Sequence, residues 1–166
     1  MVKTLIIVRH GKSSWDDPFL SDHQRPLAKR GLRDAPKMGA RLAAWGPPVD
    51  RVISSSAVRA FATAELVTAE MGLPWDEIVQ EDALYHASET EMLELIQEQE
   101  DYLDGVMLFG HNPGMTYLVN DLSDLDLENL PTCGVAILQF DVESWTEIGD
   151  TPASNAEFDY PKRKGS

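Results

Sequence analysis

Short apolar runs alternate along the chain with amphipathic stretches. The apolar runs predict buried strands over 3–8, 49–54, 78–79, 105–109 and 134–140, with 145–148 as a last candidate. The amphipathic stretches place apolar residues three and four positions apart and predict helices over 27–45, 57–71, 90–99 and 115–122. Because Pro36 lies inside the first stretch, we expect that helix to begin near Gly31, with the proline in an early turn.

Strands that alternate with helices predict an α/β fold, a three-layer sandwich with a largely parallel central sheet flanked by helices. A chain of 166 residues is long enough for one domain with a substantial core, so we expect a single domain over 1–150. Residues 151–166 mix charges with proline, glycine and serine and predict a frayed C-terminal tail. Residues 11–26 lack periodicity and predict a long loop, which in compact domains is often functional.

Basic and imidazole side chains follow three of the predicted strands. The first strand ends in Arg9 and His10, the second is followed by Arg59 in an early helical turn, and the strand over 105–109 is followed by His111 in a GHNPG segment. Since ligands bind outside the carboxyl ends of parallel strands, we expect these four side chains to form a pocket for a phosphate dianion. Each feature alone has a structural alternative: a surface pair, a solvated helix face and a helix start.

The residue types suit chemistry at phosphorus. A neutral imidazole is a nucleophile, and Gly11 would let the backbone approach His10 closely enough to fix one ring nitrogen. Arginine forks match phosphoryl oxygens, which suits Arg9 and Arg59, and a protonated His111 would add a third positive donor. The sequence has no cluster with the spacing of metal ligands, so we expect neither a metal nor another cofactor.

The formal net charge of −14 argues against nucleic acid and anionic membranes as partners, because both would be repelled. No apolar run is long enough for a signal peptide or a membrane span. The single cysteine, Cys133, cannot form an internal disulfide, and we expect a small buried residue rather than a nucleophile. These features predict a cytoplasmic protein, and we expect a monomer.

Three segments, VRHGKSSW, SSSAVRAFATAEL and LFGHNPG, resemble the histidine phosphatase superfamily, which has a phosphoglycerate mutase-like fold and an Arg-His-Gly hallmark. The segments SDHQRPLAKRG and LYHASETEMLELI are similar to the SixA-type phosphohistidine phosphatase branch. The resemblance implies that His10 is the nucleophile that becomes phosphohistidine. It also implies that Arg9 and Arg59 hold the phosphoryl group and that His111 flanks it.

The chain departs from that pattern at the general acid. Many superfamily members carry a glutamate after the third strand, whereas residues 84–89 offer no clear equivalent, and Glu89 and Glu91 are expected at the solvated start of a helix. Asp22 is the remaining candidate for proton donor and Arg25 for a substrate contact. Both side chains could instead tie the loop to itself.

A missing acid favours a substrate with a P–N bond, because imidazole leaves with less help than an alkoxide. We therefore expect a metal-independent phosphatase that dephosphorylates phosphohistidine in a signalling or phosphotransfer protein. The alternatives are a phosphomonoesterase for a small phosphorylated metabolite and a noncatalytic phosphate-binding module, which would not need His10. A mutase is disfavoured because it would need both the acid and a closed site that excludes water.

Overall fold

The computed structural model describes residues 1–163 as six strands and four helices. In chain order they are β1 (Val2–Arg9), α1 (Lys29–Trp45), β2 (Arg51–Ser55), α2 (Val58–Glu70), β3 (Val79–Glu81), α3 (Glu89–Gln97), β4 (Gly105–Gly110), α4 (Gly114–Leu122), β5 (Val135–Asp141) and β6 (Asn155–Asp159). Short 3-10 helices lie at Asp22–Gln24, Trp75–Glu77, Asp82–Leu84 and Trp145–Glu147.

The six strands form one sheet in the order β3-β2-β4-β1-β5-β6. Strands β1 to β4 run parallel, whereas β5 is antiparallel to β1 and β6 is antiparallel to β5. The predicted largely parallel sheet is therefore confirmed. The carboxyl ends of the four parallel strands meet at one edge, where the candidate site residues follow.

Alternate residues of β1 enter two separate hydrophobic cores. Leu5 and Ile7 pack into a core that includes residues of α3 and α4, whereas Ile6 and Val8 pack into a core that includes residues of α1 and α2. All four side chains are fully buried, because β1 lies in the middle of the sheet and is covered on both faces. This arrangement confirms the predicted three layers. Within residues 1–163, every helix is too short or too polar to cross a bilayer.

The structure corrects the predictions for the C-terminal part. The segment 145–148 is not a strand: Ser144 and Glu147 form a capping box, and Trp145 begins a 3-10 turn with its indole ring fully buried. The expectation of a frayed tail is wrong for Asn155–Asp159, which pairs with β5 as an edge strand. The last three residues of the predicted tail, 164–166, lie outside the described residues.

Helix α1 also begins earlier than expected. It starts at Lys29 rather than near Gly31, so that Pro36 lies well inside the helix and not in its first turn. The helix approaches the segment after β1 closely, since a Cβ on Gly31 would lie 2.5 Å from the carbonyl oxygen of Lys12. Glycine at this position lets α1 pack against the backbone that carries the candidate site.

Candidate active site

Neighbouring strands bring the two predicted histidines together. Arg9, the last residue of β1, is paired in register with Gly110, the last residue of β4, so His10 and His111 follow side by side. Their ring centroids are 5.0 Å apart. They share a cavity of about 290 Å³ with Arg59, from the first turn of α2. The full lining is Arg9, His10, Arg59, Tyr85, His86, Ala87, His111, Asn112 and Pro113.

The tautomer of His10 follows from its hydrogen bond. Its Nδ1 lies 2.7 Å from the carbonyl oxygen of Gly11, which can only accept, so Nδ1 carries the proton and Nε2 carries the lone pair. Burial, together with the charges of Arg59, Arg9 and Arg25, lowers the pKa of His10 to about 4 against the opposing hydrogen bond to Gly11. The ring is therefore neutral at pH 7, with Nε2 available as a nucleophile.

Close packing explains the glycine that follows His10. A Cβ on Gly11 would lie 3.0 Å from Sγ of Cys133 and 3.1 Å from Cα of Gly31. The amide of Gly11 donates to the hydroxyl of Thr63, 2.9 Å away, which fixes the backbone. Burial, followed by the charge of Asp34, raises the pKa of Cys133 to about 12, so this thiol is a small buried residue, as predicted, and not a nucleophile.

The two arginines of the cavity have different environments. Arg9 donates from Nη1 to the carbonyl oxygen of Leu130 at 3.0 Å, and its Nε has no partner among residues 1–163 although it is buried. Arg59 is buried, which excludes the solvated face considered from the sequence. It donates from Nη1 to the carbonyl oxygen of Asp22 at 2.6 Å and from Nη2 to the Asp22 carboxylate at 3.0 Å.

His111 is held by a serine from the end of β2. Its Nε2 lies 2.8 Å from Oγ of Ser55, and that oxygen also accepts from the amide of Ala57. Burial lowers the pKa of His111 to about 3, and the nearby His10 and Arg59 act in the same direction. The ring is neutral at pH 7, so this environment does not support the positively charged donor considered from the sequence.

The GHNPG segment serves both as a helix start and as a wall of the cavity. The side-chain oxygen of Asn112 accepts from the amide and the hydroxyl of Thr116 in the first turn of α4. Its side-chain nitrogen donates to Asn129 and to the carbonyl oxygen of Leu130, both at 2.9 Å. Because Leu130 also accepts from Arg9, these contacts connect the loop after β4 to the guanidinium at the end of β1.

Asp22 and Arg25 lie in the long loop between β1 and α1. The Asp22 carboxylate accepts from the hydroxyl of Tyr85, from Arg25 at 2.8 Å and from Arg59 at 3.0 Å. The hydrogen bond from Tyr85, followed by those from the two arginines, lowers the pKa of Asp22 well below its usual range. An ionised carboxylate is a poor proton donor, so these contacts favour the loop-tying alternative.

Arg25 is buried but does not line the cavity. It donates from Nε to the carbonyl oxygen of Ser14 at 3.1 Å and also contacts the hydroxyl of Ser13. Its guanidinium lies 3.3 Å from the ring centroid of the exposed Trp15. These contacts tie the loop to itself, and the predicted substrate contact of Arg25 stays a prediction.

Sequence reasoning missed Tyr85 and His86, which both line the cavity and whose ring centroids are 4.0 Å apart. The available signal was their position shortly after a strand at the same sheet edge. That strand, β3, has only three residues, all partly or fully exposed, so its sequence pattern is weak. Glu91 forms a capping box with Ser88 at the start of α3. Within residues 1–163, the lining of this cavity contains no carboxylate.

Comparisons with known proteins agree with this geometry. The sequence profile of the Histidine phosphatase superfamily (branch 1) matches residues 5–85. An uncharacterized protein of Mycobacterium tuberculosis is 31% identical over 165 residues, which covers 93% of this chain and 100% of that protein.

Two solved structures share the fold along most of the chain. A protein of Agrobacterium tumefaciens, proposed to be the phosphohistidine phosphatase SixA, superimposes with a TM-score of 0.76 at 30% identity, over 84% of this chain and 92% of that one. A protein of Nakamurella multipartitia with the same proposed activity superimposes with a TM-score of 0.83 at 24% identity, over 98% of both chains. Together with the Arg-His-Gly segment at the end of β1, these matches establish that the chain belongs to the histidine phosphatase superfamily.

Proposed function

We propose that this protein is a metal-independent phosphatase that forms a phosphoenzyme on His10 and removes phosphoryl groups from phosphohistidine in a protein. Membership of the superfamily and the SixA-type neighbours support a phosphatase hydrolase with a phosphorylated substrate. The observation that carries the proposal is the state of His10. Its Nδ1 is fixed by the Gly11 carbonyl and its ring is neutral, so the lone pair of Nε2 is available beside two arginines.

The reaction proceeds in two displacements. Nε2 of His10 attacks phosphorus, the bond between phosphorus and the substrate nitrogen breaks, and the phosphoryl group is transferred to His10. Arg9 and Arg59 stabilise the negative charge that spreads over the phosphoryl oxygens in the transition state. Water then attacks the phosphorus of phosphorylated His10, which releases inorganic phosphate and restores the neutral imidazole.

The leaving group explains why a P–N substrate suits this cavity. An imidazole has a second ring nitrogen, remote from phosphorus, that solvent protonates before the bond breaks, so the ring leaves in its neutral form. An alkoxide has only the oxygen bonded to phosphorus, which an acid must protonate in place. Since the described lining holds no carboxylate and Asp22 is ionised, the site favours the imidazole leaving group.

The test uses two substrates and two histidine variants, in EDTA. Wild type, His10→Ala and His23→Asn are incubated with a 32P-phosphohistidine protein and with p-nitrophenyl phosphate. His23 is the matched control because its ring bonds to Ser56 and does not line the cavity. We expect acid-labile, alkali-stable labelling of wild type and of His23→Asn, none in His10→Ala, and a higher kcat/KM for the phosphohistidine protein.

The alternatives give different results. Efficient hydrolysis of p-nitrophenyl phosphate with poor turnover of the phosphohistidine protein would identify a phosphomonoesterase for small metabolites. Phosphate binding without turnover of either substrate would identify a noncatalytic phosphate-binding module. Labelling that persists in His10→Ala would exclude His10 as the nucleophile.

A further inference from the structure

A second and larger cavity, of about 410 Å³, lies on the other side of Arg9. Residues from four parts of the chain form it: the end of β1, the start of α1, the segment before β5 and the segment after β6. The lining is Arg9, Lys12, Arg30, Asp34, Asn129, Pro131, Thr132, Tyr160, Pro161 and Lys162. Arg9 lines both cavities, so a group bound at His10 lies one side chain away from this second cavity.

Positive charge is concentrated in this second cavity. Its lining contains four of the fourteen lysine and arginine residues of the chain but only one of the 28 acidic residues. That one acidic residue, Asp34, lies 3.9 Å from Arg30 and 3.6 Å from Arg33, so its charge is compensated. In a protein with a net charge of −14, such a cavity attracts anions while most of the surface repels them.

Hydrogen bonds hold the walls of the second cavity in place. Lys37 donates to the carbonyl oxygen of Pro161 at 2.8 Å, and Arg41 donates to that of Tyr160 at 2.9 Å. On the opposite wall, Asn129 accepts from Asn112, which lines the first cavity. The walls of the second cavity are therefore fixed by hydrogen bonds, and the cavity shares one wall with the site at His10.

We propose that the second cavity binds a second anionic group of the substrate whose phosphoryl group reacts at His10. This inference rests on the proposed function and names the substrate feature that the site selects. Lys12 and Lys162 are exposed, and lysine is a flexible point charge that suits a carboxylate or phosphate arriving from solvent. Since the proposed substrate is a phosphohistidine protein, we assign the second group to an acidic side chain near the phosphohistidine; a second phosphate of a small metabolite presents the same chemistry and forms a separate arm of the test.

The experiment compares single charge removals inside and outside the second cavity. Lys12→Gln and Lys162→Gln each remove one positive charge from its lining, and Arg51→Gln is the matched control at the start of β2. The substrate series begins with phosphoimidazole, which carries only one anionic group. It continues with a phosphohistidine peptide with neighbouring glutamates, its glutamine counterpart, a sugar monophosphate and a sugar bisphosphate.

We expect each lysine variant to raise KM about fivefold to tenfold for a substrate with a second anion, at unchanged kcat. KM for phosphoimidazole should not change, and Arg51→Gln should leave every KM unchanged. An effect confined to the glutamate peptide identifies a phosphoprotein side chain, and one confined to the bisphosphate identifies a small metabolite. Equal effects on all substrates, or equal effects of Arg51→Gln, would overturn the inference.

A titration with inorganic phosphate tests anion binding in the second cavity without requiring turnover. Inorganic phosphate is titrated into wild type and into Lys12→Gln while the amide resonance of Thr132 is followed by NMR. A shift in wild type that weakens in the variant supports the anion site even where no substrate is hydrolysed, in which case the proposed function alone fails. An unperturbed Thr132 amide would overturn the anion site even where His10 is phosphorylated.

Discussion

At the scale of single residues, burial and neighbouring charge decide which side chains are charged in the first cavity. His10 and His111 are both nearly buried beside arginines, and their pKa values fall to about 4 and about 3. The pKa of Asp22 is also lowered, but for a carboxyl group this favours the charged form: hydrogen bonds from Tyr85, Arg25 and Arg59 stabilise its ionised state. The cavity therefore combines neutral imidazoles with permanent guanidinium charge, which is the combination that a nucleophilic histidine needs.

Replacing Arg59 should make His10 easier to protonate. Because the charge of Arg59 lowers the pKa of His10, we expect Arg59→Gln to raise the midpoint of its imidazole titration above about 4. The midpoint is measured by NMR on the Cε1–H resonance, assigned by comparison with His10→Asn. Arg51→Gln, in which the lost charge lies outside the cavity, should leave it unchanged. A midpoint near 6.5 in wild type would contradict the assigned environment.

Varying the leaving group decides whether Asp22 positions Arg59 or donates a proton. We expect Asp22→Asn to lower kcat/KM by about 10- to 100-fold, because the variant loses the carboxylate that positions Arg59. The factor should be the same for p-nitrophenyl phosphate and for an alkyl phosphate. A much larger loss for the alkyl phosphate would show that Asp22 protonates the leaving oxygen.

At the scale of secondary structure, the sequence predicts the centre of the sheet better than its edges. The strands β1 and β4 are continuous apolar runs, and the polar residues directly after them had to lie at the sheet edge. The predictions are poorer where tertiary contacts decide. Strand β6 is short and half exposed, and its pairing with β5 and the hydrogen bonds from Arg41 hold it in place. A local sequence pattern does not indicate contacts between residues that lie as far apart in the chain as Arg41 and Tyr160.

How well each site residue could be predicted depends in the same way on the strand that precedes it. Arg9 ends a strong strand, and His10 and His111 directly follow strong strands, so the sequence could place the three together. Tyr85 and His86 follow a three-residue strand, and their entry into the cavity depends on how β3 packs against β2. The second cavity could not be predicted, because its lining includes residues after β6, where the sequence indicates a frayed tail.

Removing the anchor of the C-terminal segment should loosen the edge of the sheet. Arg41 bonds to Asp159 at 3.3 Å and to the carbonyl oxygens of Tyr160 and Arg163. We expect Arg41→Ala to lower the free energy of unfolding by about 2 kcal/mol, since hydrogen bonds to a charged group are lost. Urea denaturation gives this value, and hydrogen exchange should become faster over 155–160.

The control for this prediction lies on the same helix. Arg33 has a side chain that is 73% exposed and, among residues 1–163, pairs only with Asp34, so Arg33→Ala should change the free energy of unfolding by less than about 0.5 kcal/mol. If both variants lose the same stability, the contacts of Arg41 with the C-terminal segment contribute nothing specific.

At the scale of the whole molecule, the uneven charge has consequences for stability. The chain has 28 acidic and 14 basic residues, and several of the basic residues are committed to the two cavities. The rest of the surface is left with an excess of carboxylates that repel one another in the compact state more than in the unfolded chain. The positive cavities are therefore set in a surface whose repulsion opposes folding.

Salt should relieve that repulsion. Because the Debye length shortens from about 30 Å at 0.01 M to about 8 Å at 0.15 M, sodium chloride screens charges that are spread over the surface. We expect the free energy of unfolding at pH 7.5 to increase by about 1 kcal/mol between these salt concentrations, which raises Tm by about 3 °C. Near the isoelectric point of about 4.5 the net charge vanishes, and the slope of Tm against salt should fall to zero. A Tm that decreases with salt at pH 7.5 would show that attractive ion pairs outweigh the repulsion.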